Sequence, residues 1–168
     1  VNPNPEMLTY EQIVEKTITL QEADSLFTPQ FRKDKRIVFT NGCFDLLHRG
    51  HIYYLSRARE LGDMLVVGLN SDASVTLLKG AGRPVNKVEA RAEILGALAF
   101  VDYIIVFDEE TPLNLITLLE PDILVKGGDY KAEDIVGYRE VSSRGGRVQT
   151  IPILEGYSSS SIIDRNKS

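Results

Sequence analysis

An α/β fold, a Rossmann-like doubly wound parallel sheet of about five strands in a single domain, is what the 168-residue sequence predicts, on three observations. Short apolar runs with little polar alternation recur along the chain, as strands buried on both faces require. Between them lie stretches whose apolar residues fall three and four apart, the spacing of helices that pack one face on a sheet. Strand and helix alternate throughout, which implies right-handed crossovers with helices on both sides. The length suits one hydrophobic core.

Taken in order, Val1 to Pro5 hold two prolines and two asparagines and read as a tail. Leu20 to Arg32 is weakly helical, with Leu20, Ala23, Phe27 and Phe31 on one side, and the charged stretch Arg32 to Arg36 follows. Residues 1–35 are therefore expected to be a tail and helical lead-in, and 36–168 the domain. Strands are expected at Arg36 to Thr40, Met64 to Leu69, Tyr103 to Phe107, Ile123 to Lys126 and Arg147 to Ile151. Ile52, Leu55 and Ala58 mark the buried face of one helix, and Val88, Ala92, Leu95 and Ala99 that of another. Asn86 followed by Glu89 resembles a capping box, Thr111 before Pro112 a helix start, and Gly62 and Gly145 helix ends.

Composition narrows the function. A net charge of −5 argues against holding nucleic acid or an anionic membrane by bulk charge, so neither is an expected partner. The lone Cys43 cannot form an internal disulfide, and the N-terminus lacks the basic stretch and apolar run of a signal peptide, which favours the cytoplasm. The longest apolar runs fall far short of the roughly 20 residues that span a bilayer.

Ligands of such a sheet bind beyond the carboxyl ends of its strands. Three segments follow expected strand ends there: Asn41 to His51, Asp72 to Arg83, and Lys126 to Tyr130. A fourth, Gly156 to Ser161, opens the last helix. The first holds both histidines of the chain, His48 and His51, at a helix start. Gly50 would let backbone approach a phosphate there, and the free N–H groups of the helix favour an anion. The structural alternative is that the two histidines cap the helix and pack. Zinc ranks low, because no further histidine completes a site, and no metal ligands are assigned. Neither a G-x-G-x-x-G fingerprint nor a P-loop occurs, so another device would hold any nucleotide.

The run Gly42 to His51, G-x-F-D-x-x-H-x-G-H, resembles the signature of the HxGH nucleotidylyltransferase superfamily. Lys79 to Asn86, Val125 to Tyr130 and Glu155 to Ser158 are further similar to the adenylyltransferase domain of bacterial ADP-heptose synthases. The likeness covers about Arg36 to Arg165, and its heptose-specific part rests mainly on Lys126 to Tyr130. It departs from the family in having Ser158 to Ser161 where Ser-Thr-Thr is common. It also has no room before Arg36 for the sugar kinase domain of many members, which leaves a standalone transferase or an excised half.

What the resemblance implies is a Rossmann-like enzyme that joins the AMP part of ATP to D-glycero-β-D-manno-heptose 1-phosphate, releasing pyrophosphate and giving ADP-heptose for lipopolysaccharide. ATP with Mg²⁺ and the sugar 1-phosphate are the implied ligands, a separate sugar kinase would supply the latter, and a homodimer is allowed. By the same resemblance His48 and His51, with Lys79, would stabilise the phosphates during transfer. Candidate binding residues are Asn41, Gly42, Cys43, Phe44, Asp45 and Gly50 in the signature, Asp72 and Arg83 beyond the second strand, Lys126, Gly128 and Asp129, and Tyr157, Ser158, Ser159 and Ser160. Several have plainer readings. Cys43, Phe44, Tyr53 and Tyr54 suit packing. Asp45, Asp72 and Asp129 could bind local backbone, and the serines could cap a helix. A cytidylyltransferase of a small alcohol phosphate and a nucleotide-binding module without turnover are the competing functions.

Overall fold

The structure, a computed structural model, describes residues 8–165; the segment Val1 to Pro5 lies outside the described residues. The predicted strands form where the apolar runs stand: β2 Ile37–Gly42, β3 Met64–Asn70, β4 Tyr103–Phe107, β5 Ile123–Gly127 and β6 Arg147–Ile151. A sixth, β1 Thr17–Ile18, comes from the stretch read as a helical lead-in and pairs with β4. Two residues carry no periodicity, so sequence pattern alone could not reveal it. The sheet is parallel throughout, in the order β1-β4-β3-β2-β5-β6.

The lead-in also holds three short helices, α1 Tyr10–Glu15, α2 Leu20–Leu26 and α3 Pro29–Arg32. Capping boxes at Thr9 with Gln12 and at Thr19 with Glu22 start the first two, and Pro29 at the first helical position starts the third. Ala23 and Phe27 are buried as their spacing predicts, whereas Leu20 is exposed.

Helices α4 Arg49–Arg59 and α6 Val88–Gly96 cover one face of the sheet. Helices α2, α7 Leu113–Leu119 and α8 Tyr138–Ser143 cover the other. Alternate residues of one strand feed each side: Val38 packs into the first core and Phe39 into the second. The remaining helices are α5 Asp72–Lys79 and α9 Ser159–Arg165.

Some helix details differ from expectation. The buried face of α4 runs through Tyr54, Leu55 and Ala58, with Ile52 exposed, and α6 ends before the exposed Ala99. Lys87, not Asn86, is the N-cap of α6 and makes no side-chain cap bond, since its ammonium has no acceptor atom, while Asn86 Nδ2 donates to Asp45. Pro112 is the N-cap of α7, one residue beyond Thr111. Gly145 closes α8 as expected: its N–H and that of Gly146 bond to Ser142 and Val141 carbonyls at 3.0 Å, and its φ of 81° suits glycine.

The chain runs outward from β2 through β3 to β4, then returns to β5 on the other side of β2. Strand order therefore reverses between β2 and β5, and the crevice above their carboxyl ends is where such a fold places its ligand.

Candidate active site

Asn41, one residue before the end of β2, stands beside Lys126 near the end of β5, and the Lys126 ammonium donates to Asn41 Oδ1 at 3.3 Å. Burial holds that ammonium below the usual lysine range, with Lys79 adding to the effect. Lys79 is the last residue of α5, exposed, ahead of Gly80 and Gly82 in their positive-φ conformations.

After Gly42 the chain turns through Phe44, which takes a φ of 43°. A Cβ on Gly42 would lie 3.0 Å from the Phe44 ring, so the glycine makes room for that turn. Phe44 is buried and sits edge-on against His51 with centroids 5.1 Å apart. Its role is to wall the histidines. Cys43 is half-buried, and burial raises its thiol above the ordinary range, so it stays protonated and weakly nucleophilic.

His48 is the N-cap residue of α4, and its carbonyl accepts from the His51 and Ile52 N–H groups at 2.9 and 3.2 Å. Its side chain makes no cap bond, which removes the capping alternative. The two imidazoles stack at 3.8 Å between centroids and 21° between planes. The Nδ1 atoms of both are buried without a hydrogen-bond partner among the described residues. Burial pushes His51 down to about 4, with His48 adding to the effect, and burial also lowers His48. Gly50 leaves space beside the histidines: a Cβ there would meet the His48 ring at 3.1 Å and Tyr157 Cβ at 3.3 Å. The missing Cβ makes room for the His48 ring.

Asp45 is 2% exposed, and its carboxylate is fully used. It accepts from Arg83 Nε at 2.5 Å and from the Val85 and Asn86 N–H groups at 2.7 and 3.1 Å, while Asn86 Nδ2 donates to its carbonyl at 3.2 Å. Burial alone would raise this carboxyl, but those donors outweigh it and hold it low. Asp45 thus clamps the 83–86 loop to the signature turn, and Arg83 Nε is committed to that clamp.

Asp72, first in α5, accepts from Arg91 at 2.9 Å and pairs with Lys87 at 3.5 Å. Gly128, with φ of 117°, donates to the Ile151 carbonyl at 3.0 Å, and Asp129 beside it is exposed. Tyr157 accepts from Arg49 at 3.1 Å and lies 6.4 Å from the His48 ring. Ser159 Oγ donates to the Leu46 carbonyl at 3.0 Å, which ties the start of α9 to the signature turn. Ser158 and Ser160 are exposed beside it.

The architecture thus gathers the signature turn, Lys126 and the start of α9 around one crevice at the reversal of strand order. The sequence matches the cytidylyltransferase-like family over residues 39–165. The chain belongs to the cytidylyltransferase-like family.

Among relatives of this cytidylyltransferase-like chain, the bifunctional protein HldE of Syntrophotalea carbinolica is 59% identical over 134 residues, 80% of this chain and 27% of that protein. HldE of Campylobacter concisus is 53% identical over 152 residues, 90% and 31% of the two. The chain spans less than a third of the length of these curated relatives. A solved structure of the lipopolysaccharide core biosynthesis protein from Thermoplasma volcanium superposes with a TM-score of 0.58 at 29% identity, over 74% of this chain and 99% of that one. Pantothenate synthetase from Thermus thermophilus shares the fold, with a TM-score of 0.60 at 19% identity over 90% and 70% of the chains.

One residue of this cytidylyltransferase-like site, and the hydrogen bonds of a second, escaped sequence reasoning. Arg91 on α6 is 1% exposed and donates to the carbonyls of Cys43, Asn70 and Asn86 at 2.6, 2.8 and 3.0 Å besides Asp72. A charge four residues before Leu95, on the apolar face of α6, was the available signal. Tyr54 is buried as expected. Its hydroxyl lies 2.5 Å from that of Thr40 and donates to the Val125 carbonyl at 3.1 Å, fixing β2 against β5 below the crevice.

Proposed function

We propose that the chain is an adenylyltransferase that moves the AMP part of ATP to D-glycero-β-D-manno-heptose 1-phosphate, giving ADP-heptose and pyrophosphate. The observation that carries this reading is the stacked imidazole pair whose buried Nδ1 atoms have no partner among the described residues, at the start of α4 where strand order reverses. An unpaired buried polar atom is costly unless a ligand completes it. Phosphate oxygens suit these positions, because the first turn of a helix offers free N–H groups and a positive dipole end. The naming of the HldE relatives and the Lys126 to Tyr130 stretch support the heptose substrate.

In this reading a sugar phosphate oxygen attacks the α-phosphorus of ATP in line, and pyrophosphate leaves from the opposite side. Transfer of this kind needs little covalent help, so positioning and charge stabilisation supply the rate. His48 and His51 hydrogen-bond the triphosphate and the charge that develops on it. Lys126, desolvated beside Asn41, meets an anionic group, and Lys79 closes from the end of α5. Ser158 to Ser160 and Tyr157 line the far side. Asp45, Asp72, Arg83 and Phe44 act on the site through the turns they hold. Mg²⁺ would neutralise the triphosphate. Asp45 and Asp72 are engaged by arginines and offer it no free seat, so phosphate oxygens and water would carry it.

A kinase acting at the anomeric position has to supply the acceptor, and the cytoplasm, where ATP is abundant, is the proposed compartment. Among the described residues no helix is long and apolar enough to cross a membrane. A pyrophosphate-release assay crossing ATP and CTP with heptose 1-phosphate, glycerol 3-phosphate and phosphopantetheine tests the reading. Release is expected with ATP and heptose 1-phosphate. Release with CTP and glycerol 3-phosphate instead would replace it by alcohol-phosphate cytidylyl transfer, and nucleotide binding without release by a sensing module.

A further inference from the structure

A second concavity lies at the opposite end of the sheet. A cavity of about 620 Å³ opens where β2, β5 and β6 begin, lined by Arg32, Arg36, Arg144 and Arg147 together with Glu120 and Asp122. That volume falls within the range of small-molecule sites. Strand β2 has six residues, so about 20 Å of buried strand, at roughly 3.3 Å per residue, separates this cavity from the imidazole crevice.

Both acids are already used. Glu120 accepts from Arg32 through its carboxylate at 2.5 Å and through its carbonyl at 3.2 Å. Asp122 Oδ2 accepts from the Ile37 N–H at 2.7 Å. The guanidiniums of Arg36, Arg144 and Arg147 have no ion pair or hydrogen bond among the described residues. Arg32 Nε is buried and has no partner among the described residues. Arg32 to Arg36 adds two lysines around one aspartate, so cations concentrate here in a chain whose net charge is −5. Like charges around one concavity repel until an anion enters.

We propose that this cavity binds a compact phosphorylated small molecule, gripped by Arg36, Arg144 and Arg147, as a site separate from the transfer crevice. The guanidinium fork matches two phosphate oxygens at once, and three forks facing one hollow suit an ion with several such oxygens better than a single carboxylate. Gly145, beside which a Cβ would meet nothing within 4 Å, leaves the entrance clear.

The test is calorimetric titration of the folded chain with inorganic tripolyphosphate at physiological salt. The triple variant Arg36→Ser, Arg144→Ser, Arg147→Ser should weaken one component of binding at least tenfold, and Arg144→Ser alone about threefold. The pair His48→Ala, His51→Ala should leave that component intact. All three arginines lie on loops or element ends, and circular dichroism checks that the variant folds. The proposal is overturned if the triple variant titrates like the wild type, or if the histidine variant abolishes all binding. It is also overturned if a hexaglutamate peptide competes as well as tripolyphosphate, which would make the cavity a docking point for an acidic segment. The readout is binding alone, so failure of the proposed transfer reaction leaves the result unchanged.

Discussion

The stacked histidines do most to decide what the chain can do. Each should act as one preorganised donor, so His48→Ala or His51→Ala should lower turnover by roughly a hundred- to a thousandfold while circular dichroism stays unchanged. Their pairing also links stability to pH. Burial holds His51 at about 4 in the folded chain against 6.5 when exposed, so between these values the unfolded state binds more protons. Stability attributable to His51 is therefore complete above about pH 6.5, falls as pH drops toward 4, and levels off below. The whole effect approaches about 3 kcal/mol. Urea midpoints of the wild type and His51→Gln should converge across that window, and parallel curves would remove His51 as the cause. The histidines were legible in sequence because both stand in one ten-residue pattern. Asp45 was legible only as an ambiguity, since its partners lie some forty residues on, in the 83–86 loop.

Between elements, the ends of β2 and β3, the start of α5 and the loop before α6 are held by a single side chain. Arg91 bonds Cys43, Asn70, Asn86 and Asp72 at once. Arg91→Met keeps the volume and removes every one of those donors, leaving Asp72 without its closest cation. A loss of about 3–5 kcal/mol in urea unfolding is expected, the range for breaking one side of a buried charge pair. A loss below 1 kcal/mol would show that the four elements hold together without it. Sequence pattern delivered the five longer strands within a residue or two, because each is a run of apolar residues between turn signals. It missed β1 for the opposite reason: Thr17–Ile18 is too short to show a period, and only its pairing with β4 makes it a strand. Arg91 was easy to pass over because an arginine on a helix normally signals solvent, and only its place on the apolar face of α6 spoke against that.

For the molecule as a whole, the segment before Arg36 is part of the core. Ala23 and Phe27 are buried with Ile105 and Phe107, and α1 approaches α6 so closely that a Cβ on Gly96 would meet the Ile13 carbonyl at 2.6 Å. A chain starting at Arg36 should therefore lose several degrees of melting temperature and bind a hydrophobic dye, as measured by thermal unfolding with ANS. An unchanged melting curve would show that 36–168 stands alone. The family signature reads the crevice but says nothing of this packing, which depends on contacts far apart in sequence. The brevity of β1 matters for handling the protein as well. A border of two residues offers a stranger's backbone almost nothing to zip onto, so copies that join sheet to sheet have to do so through β6, the five-residue strand on the opposite border.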